Sequence, residues 1–171
     1  MRGRIGDMEK VPVWLPWAVP TFAELCTRCL DCALACEERI IVQGDGGFPK
    51  VDFSRGECIF CEDCVDACKT GALNKQVDPP WTLKAKVDDR CLSMKGITCR
   101  SCGDTCVERA IKFRLQVGGK ADLSIDSENC TGCGGCVGVC PVKAVSVSHE
   151  SSTMPVSVEA SAASGQQEEI A

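Results

Sequence analysis

The sequence predicts an α+β fold made of two small, similar units in tandem, each with a thin apolar core, followed by a disordered acidic C-terminal tail. Three observations predict it. The 16 cysteines fall into four quartets with none left over. A short β-like segment precedes three of them (PKVDF before Cys58, KAKVDD before Cys91, LSID before Cys130), and each quartet leads into a short helix and an apolar strand. Finally, QVDPPW divides the chain, because Pro79 and Pro80 hold their neighbours extended.

In chain order, residues 1–20 form an N-terminal extension whose only apolar stretch is broken by Pro12, Pro16 and Pro20, which is not a secretory core. Arg2 and Arg4 are separated by Gly3, and no run of about 18 apolar residues exists to cross a membrane, so a soluble, cytoplasmic protein is expected. The first unit, 21–75, carries CTRCLDCALAC (Cys26, Cys29, Cys32, Cys36) and CIFCEDCVDAC (Cys58, Cys61, Cys64, Cys68). A proline-containing linker, 76–83, leads to the second unit, 84–148. There CLSMKGITCRSCGDTC places Cys91, Cys99, Cys102 and Cys106 with a widened first gap, and CTGCGGCVGVC places Cys130, Cys133, Cys136 and Cys140. Residues 149–171 are low in complexity and acidic, a composition that stays disordered. The repeat extends beyond sulfur: each final cysteine is followed, at its fourth and fifth positions, by Ile40-Ile41, Ala72-Leu73, Ala110-Ile111 or Ala144-Val145.

Only about 39 of 171 residues are Leu, Ile, Val or Phe, so apolar burial needs help from a staple. A disulfide scaffold would force adjacent C-x2-C loops into strained rings and suits an oxidising compartment. Structural zinc uses two C-x2-C pairs a dozen or more residues apart and gains nothing from a third thiol two residues on. The spacing C-x2-C-x2-C-x3-C instead belongs to cubane iron-sulfur clusters, where the fourth cysteine serves the other cluster of a pair. Three thiols wrap one corner of a cubane, and the fourth, on a helix, points elsewhere.

Pairing neighbouring quartets predicts four [4Fe-4S] clusters. Cys26, Cys29 and Cys32 bind with Cys68; Cys58, Cys61 and Cys64 bind with Cys36. In the second unit Cys91, Cys99 and Cys102 bind with Cys140, and Cys130, Cys133 and Cys136 with Cys106. The units are then bacterial-type 2[4Fe-4S] ferredoxin-like folds, each a two-fold βαβ arrangement. The formal charge of -5 counts thiols as neutral; an oxidised cubane with four thiolates carries about -2, so four clusters make the holoprotein strongly acidic. Nucleic acid is thereby a poor partner and a basic protein surface a good one.

Smaller features have assignable roles. Glu62, Asp63 and Asp66 surround the second quartet, whereas the fourth has Gly132, Gly134, Gly135 and Gly138 and no charge, which predicts a higher potential at the fourth; the same glycines also permit a tight loop. Trp14, Trp17 and Trp81 are read as apolar covers over clusters, Met94 in the insertion LSMKGIT as a gap filler, and His149 as inert. Arg2, Arg4 and Lys10 make a solvated basic end.

The whole pattern resembles the NapF family of ferredoxin-type proteins. The stretches that carry the resemblance are WLPWAVPTFAELCTRC, GDGGFPKVDF, PPWTLKAKVDDRCL, CRSCGDTC and ERAIKFR, between Val13 and Val147. The resemblance implies a cytoplasmic accessory protein that acts on the precursor of the periplasmic nitrate reductase catalytic subunit before export, helping it mature, with its clusters bound by the cysteines above. An electron-relay polyferredoxin between a dehydrogenase and a reductase is the alternative. The sequence contains no Gly-rich phosphate loop, flavin motif or acid/base constellation, so an enzyme is not expected.

Overall fold

A computed structural model describes residues 15–117 and 121–149. The first unit opens on a turn at Pro16 and Trp17, after which Ala18 pairs antiparallel with Leu73. Helix α1, Phe22–Leu25, leads into the first cysteine loop, and α2, Asp31–Ala35, follows it. A hairpin of β1, Ile41–Gln43, and β2, Pro49–Val51, is closed by the 3-10 turn Asp45–Gly47; its register sets Ile41 opposite Val51. Helix α3, Asp63–Asp66, then packs on α2.

The second unit repeats this order at fuller length. Strand β3, Leu83–Val87, pairs antiparallel with the last strand β6, Val145–His149, so that Leu83 faces His149 and Val87 faces Val145. Between them lie the 3-10 turn Ser93–Lys95, α4 (Ser101–Thr105), the hairpin of β4 (Ile111–Leu115) and β5 (Ala121–Ile125), and α5 (Gly135–Gly138), which packs on α4. All three two-stranded sheets are antiparallel. The βαβ expectation therefore holds for the order of elements, while the strands pair as hairpins and as first-with-last.

The hairpin strands are three and five residues long, and few of their residues are buried. The core is correspondingly thin. In the first unit it comprises Leu15, Trp17, Phe22, Ile40, Phe53, Val65 and Leu73 with Leu83; in the second, Ala85, Ile111 and Val145 are joined by Cys102 and Cys136. Cysteines are thus part of the core, as a chain poor in large apolar residues requires.

Packing extends the first unit towards the N-terminus. Leu15 and Trp17 are buried, and Trp17 accepts a backbone hydrogen bond from Asn74 while donating one to Pro80. The boundary expected at residue 21 therefore falls inside a packed segment. The expected basic end, Trp14 and the tail beyond His149 lie outside the described residues.

Candidate metal centre

The third cysteine of each quartet stands on a helix: Cys32 on α2, Cys64 on α3, Cys102 on α4 and Cys136 on α5. The fourth does not, contrary to the reading from spacing. Cys36 and Cys106 are extended residues at the helix ends, and Cys68 and Cys140 lie just past theirs. A four- or five-residue helix ends before the i+4 position is reached, so the fourth thiol leaves along the outgoing chain.

The loops share a backbone script. The residue before the second cysteine of a regular quartet has positive φ (Arg28 at 62°, Phe60 at 55°, Gly132 at 74°), as does the residue after it (Leu30 at 63°, Glu62 at 69°, Gly134 at 85°). Three residues beyond each final cysteine, Arg39, Gly71, Arg109 and Lys143 are also left-handed. That turn aims the next amide back at the sulfur: the N–H of Ala110 donates to Cys106 Sγ at 3.3 Å and that of Ala144 to Cys140 Sγ at 3.2 Å. Ala85 likewise donates to Cys130 Sγ at 3.5 Å. Amide donors to sulfur stabilise a thiolate and tune any metal it binds.

Four cavities accompany the four quartets. One, of about 280 Å³, is lined by Cys106, Cys130, Cys133 and Cys136. Another, of about 130 Å³, is lined by Cys26, Cys29, Cys32 and Cys68. Narrower slots of about 30 and 20 Å³ are lined by Cys36, Cys58, Cys61 and Cys64, and by Cys91, Cys99, Cys102 and Cys140. In every case three thiols come from one loop and one from the neighbouring quartet. These are the four combinations expected from spacing, although the 280 Å³ cavity is also bordered by Cys58. Among the described residues no three Cys, His, Asp or Glu side chains close tightly enough to hold a lone ion. In the two wider cavities the thiols surround space rather than a point, the arrangement a multinuclear group takes.

Burial pushes the thiols of Cys32, Cys58 and Cys102 up to about 11 and those of Cys64 and Cys136 up to about 12, with neighbouring thiols adding to the shift. The thiols that act on Cys102 are Cys91, Cys140 and Cys99, the set around its own cavity. Metal binding must displace these protons, so loading and proton release are coupled.

The widened third loop departs from the others. Its insertion folds into the 3-10 turn Ser93–Lys95, which packs against β5, and Cys91 remains buried beside the other three thiols. Met94 is 44% exposed, so it does not fill a gap over the site. Trp17 lines the second quartet's cavity, whereas Trp81 lies between the units, its ring edge-on to Phe53 and Phe60 at 5.8 and 5.6 Å. The acidic residues near the second quartet are partly neutralised: Lys75 bridges Glu62 at 2.9 Å and Asp66 at 2.8 Å. Lys75 was legible only in principle, since its partners lie nine and thirteen residues back and no short-range pattern joins them.

Two family models, each of a 4Fe-4S dicluster domain, match the chain, one at residues 25–73 and the other at residues 95–144. The ferredoxin-type protein NapF of Haemophilus influenzae is 45% identical over 134 residues, 77% of this chain and 76% of that protein. The chain belongs to the NapF family of ferredoxin-type proteins. NapF of Escherichia coli K12 is 37% identical over 136 residues, covering 78% of this chain and 83% of its own. A ferredoxin-type protein NapG of Haemophilus influenzae is 27% identical over 163 residues, 81% of this chain and 58% of that protein.

As a NapF-family protein with two dicluster domains, this is an iron-sulfur protein, and its donor set fits such clusters: thiols in fours, amides aimed at sulfur, and partial burial. The second domain match begins after Cys91, where the widened gap displaces the first cysteine from the usual spacing. Among the described residues no helix is long and apolar enough to cross a membrane.

Proposed function

We propose that each cysteine set holds one [4Fe-4S] cluster, four in all, and that the protein is a cytoplasmic accessory factor for maturation of the periplasmic nitrate reductase catalytic subunit. It would meet that subunit as the precursor, before export, without turnover of a small substrate. One observation carries the cluster reading: four cavities, each lined by three thiols of one loop and a fourth from its neighbour. The accessory role is supported by membership of the NapF family, and an acidic holoprotein complements the basic signal region of an exported partner.

When bound, such clusters supply one-electron exchange at potentials set by hydrogen bonds, charge and solvent access. The chain's own contribution is to bury the third cysteine of each loop, aim amides at sulfur and keep paired sites within one small unit. Anaerobic pull-down of the full chain from cytoplasm tests the role. Capture of a nitrate reductase precursor still bearing its signal peptide supports it; capture of a quinol- or hydrogen-oxidising complex instead indicates the relay.

A further inference from the structure

The glycines of the fourth loop have a reason that φ does not supply. Arg28, Phe60, Leu30 and Glu62 hold the same left-handed conformations at the equivalent positions with full side chains. At Gly134, however, a Cβ would enter the ring of Phe53, at Gly135 it would meet the carboxylate of Glu57, and at Gly132 the carbonyl of Leu83. Phe53 and Glu57 belong to the first unit. The fourth loop is stripped of side chains where the other unit presses on it.

Hydrogen bonds mark the same junction. The first cysteine of three quartets sends its amide backwards within its own unit: Cys26 to Phe22 O, Cys91 to Asp88 O and Cys130 to Asp126 O. Cys58 alone among these four donates across the units, to the carbonyl of Cys133 at 2.8 Å. Beside it the indole N–H of Trp81 donates to Thr131 O at 2.8 Å. Glu57, Cys58 and Ile59 form part of the wall of both the second and the fourth quartets' cavities, whereas the first and third cavities take no residue from the other unit.

We propose that this glycine-lined junction joins the two units into a single array of sites in the order first, second, fourth, third. Inside each unit adjacency runs through the buried third cysteines, Cys32 with Cys64 and Cys102 with Cys136, on helices that pack together. Across the units it runs through Cys58 and Cys133 and through nothing equivalent elsewhere among the described residues. The first and third quartets are the two ends of the array, and the second and fourth its middle. Gly132, Gly134 and Gly135 are positioning residues for it.

The inference rests on the quartets holding clusters, and iron content reports that separately. The test is electron paramagnetic resonance of the dithionite-reduced, anaerobically reconstituted full chain, with iron assayed on the same samples. The wild type should show magnetic interaction beyond that of two isolated pairs. Gly134→Val should keep its iron yet revert to the signal of separate pairs, while Gly138→Ala, whose Cβ meets Phe53 O at an ordinary 3.6 Å, should match the wild type. Identical lineshapes for wild type and Gly134→Val at equal iron would overturn the array and leave the cluster reading intact; a wild type that takes up no iron would sink that reading instead. If the valine variant loses iron, amide exchange in the wild type decides. Protection of Cys58 more than about tenfold over exposed Ile59 supports the junction, and equal exchange overturns it.

Discussion

Trp81 donates its indole N–H to the backbone carbonyl of Thr131, fifty residues further along the chain, at 2.8 Å. The tryptophan comes from the segment between the units and the carbonyl from the fourth cysteine loop, so one hydrogen bond ties linker to site. Trp81→Phe keeps an aromatic ring against Phe53 and Phe60 but removes the donor. It should destabilise the holoprotein by about 0.5–1.5 kcal/mol in denaturant unfolding, the usual worth of one such bond. No measurable change would mean that the bond does not form in solution.

Lys75 holds Glu62 and Asp66 together beside the second quartet. Removing its charge leaves two carboxylates uncompensated, and nearby anions disfavour adding an electron. Lys75→Met should lower the midpoint potential of the second site in a redox titration, with the shift shrinking as salt is raised because all three groups are exposed. An upward shift would contradict this electrostatic account.

Solvent reaches the sites unevenly. Cys29 and Cys61 are exposed, whereas no cysteine of the second unit is. Timed challenge of the loaded protein with a chelator should release iron in two phases, the first carrying about half of it, because solvent access governs lability. A single uniform phase, or early loss from the second unit, would be the opposite outcome.

Asp126 opens the turn before the fourth quartet. Its carboxylate is held down to about 2 by Lys112, at 2.9 Å, and by Asn129. A folded value below the ordinary one of about 3.9 stabilises the fold above that pH, and the contribution disappears as pH falls towards 2. Asp126→Asn should therefore be less stable than the wild type at neutral pH by tryptophan fluorescence, with the gap closing between about pH 4 and 2. A gap independent of pH would remove the carboxylate's charge from the explanation.

Sulfur spacing made the candidate sites readable, because ligand geometry is local: two, two and three residues between thiols limit what they can surround. The strands at Pro49–Val51, Leu83–Val87 and Ala121–Ile125 were readable too, since alternating apolar residues precede a cysteine in each. Contacts across long sequence separations were not. Phe53 against Gly134 and Trp81 against Thr131 join residues with no shared period, so the glycines read equally well as loop formers. Short-helix termination was also missed: spacing alone cannot tell whether a turn continues from Cys32 to Cys36, and here it stops at Ala35. The burial of Leu15 was not legible, because the prolines around it look like a break, although the chain between those prolines packs into the core.

Paired thiol sets shared between loops are the centre of this account, and iron and acid-labile sulfide per chain, determined after anaerobic reconstitution, measure them most directly. Four cubanes predict about sixteen of each. A value near eight iron atoms, or iron without sulfide, would contradict it.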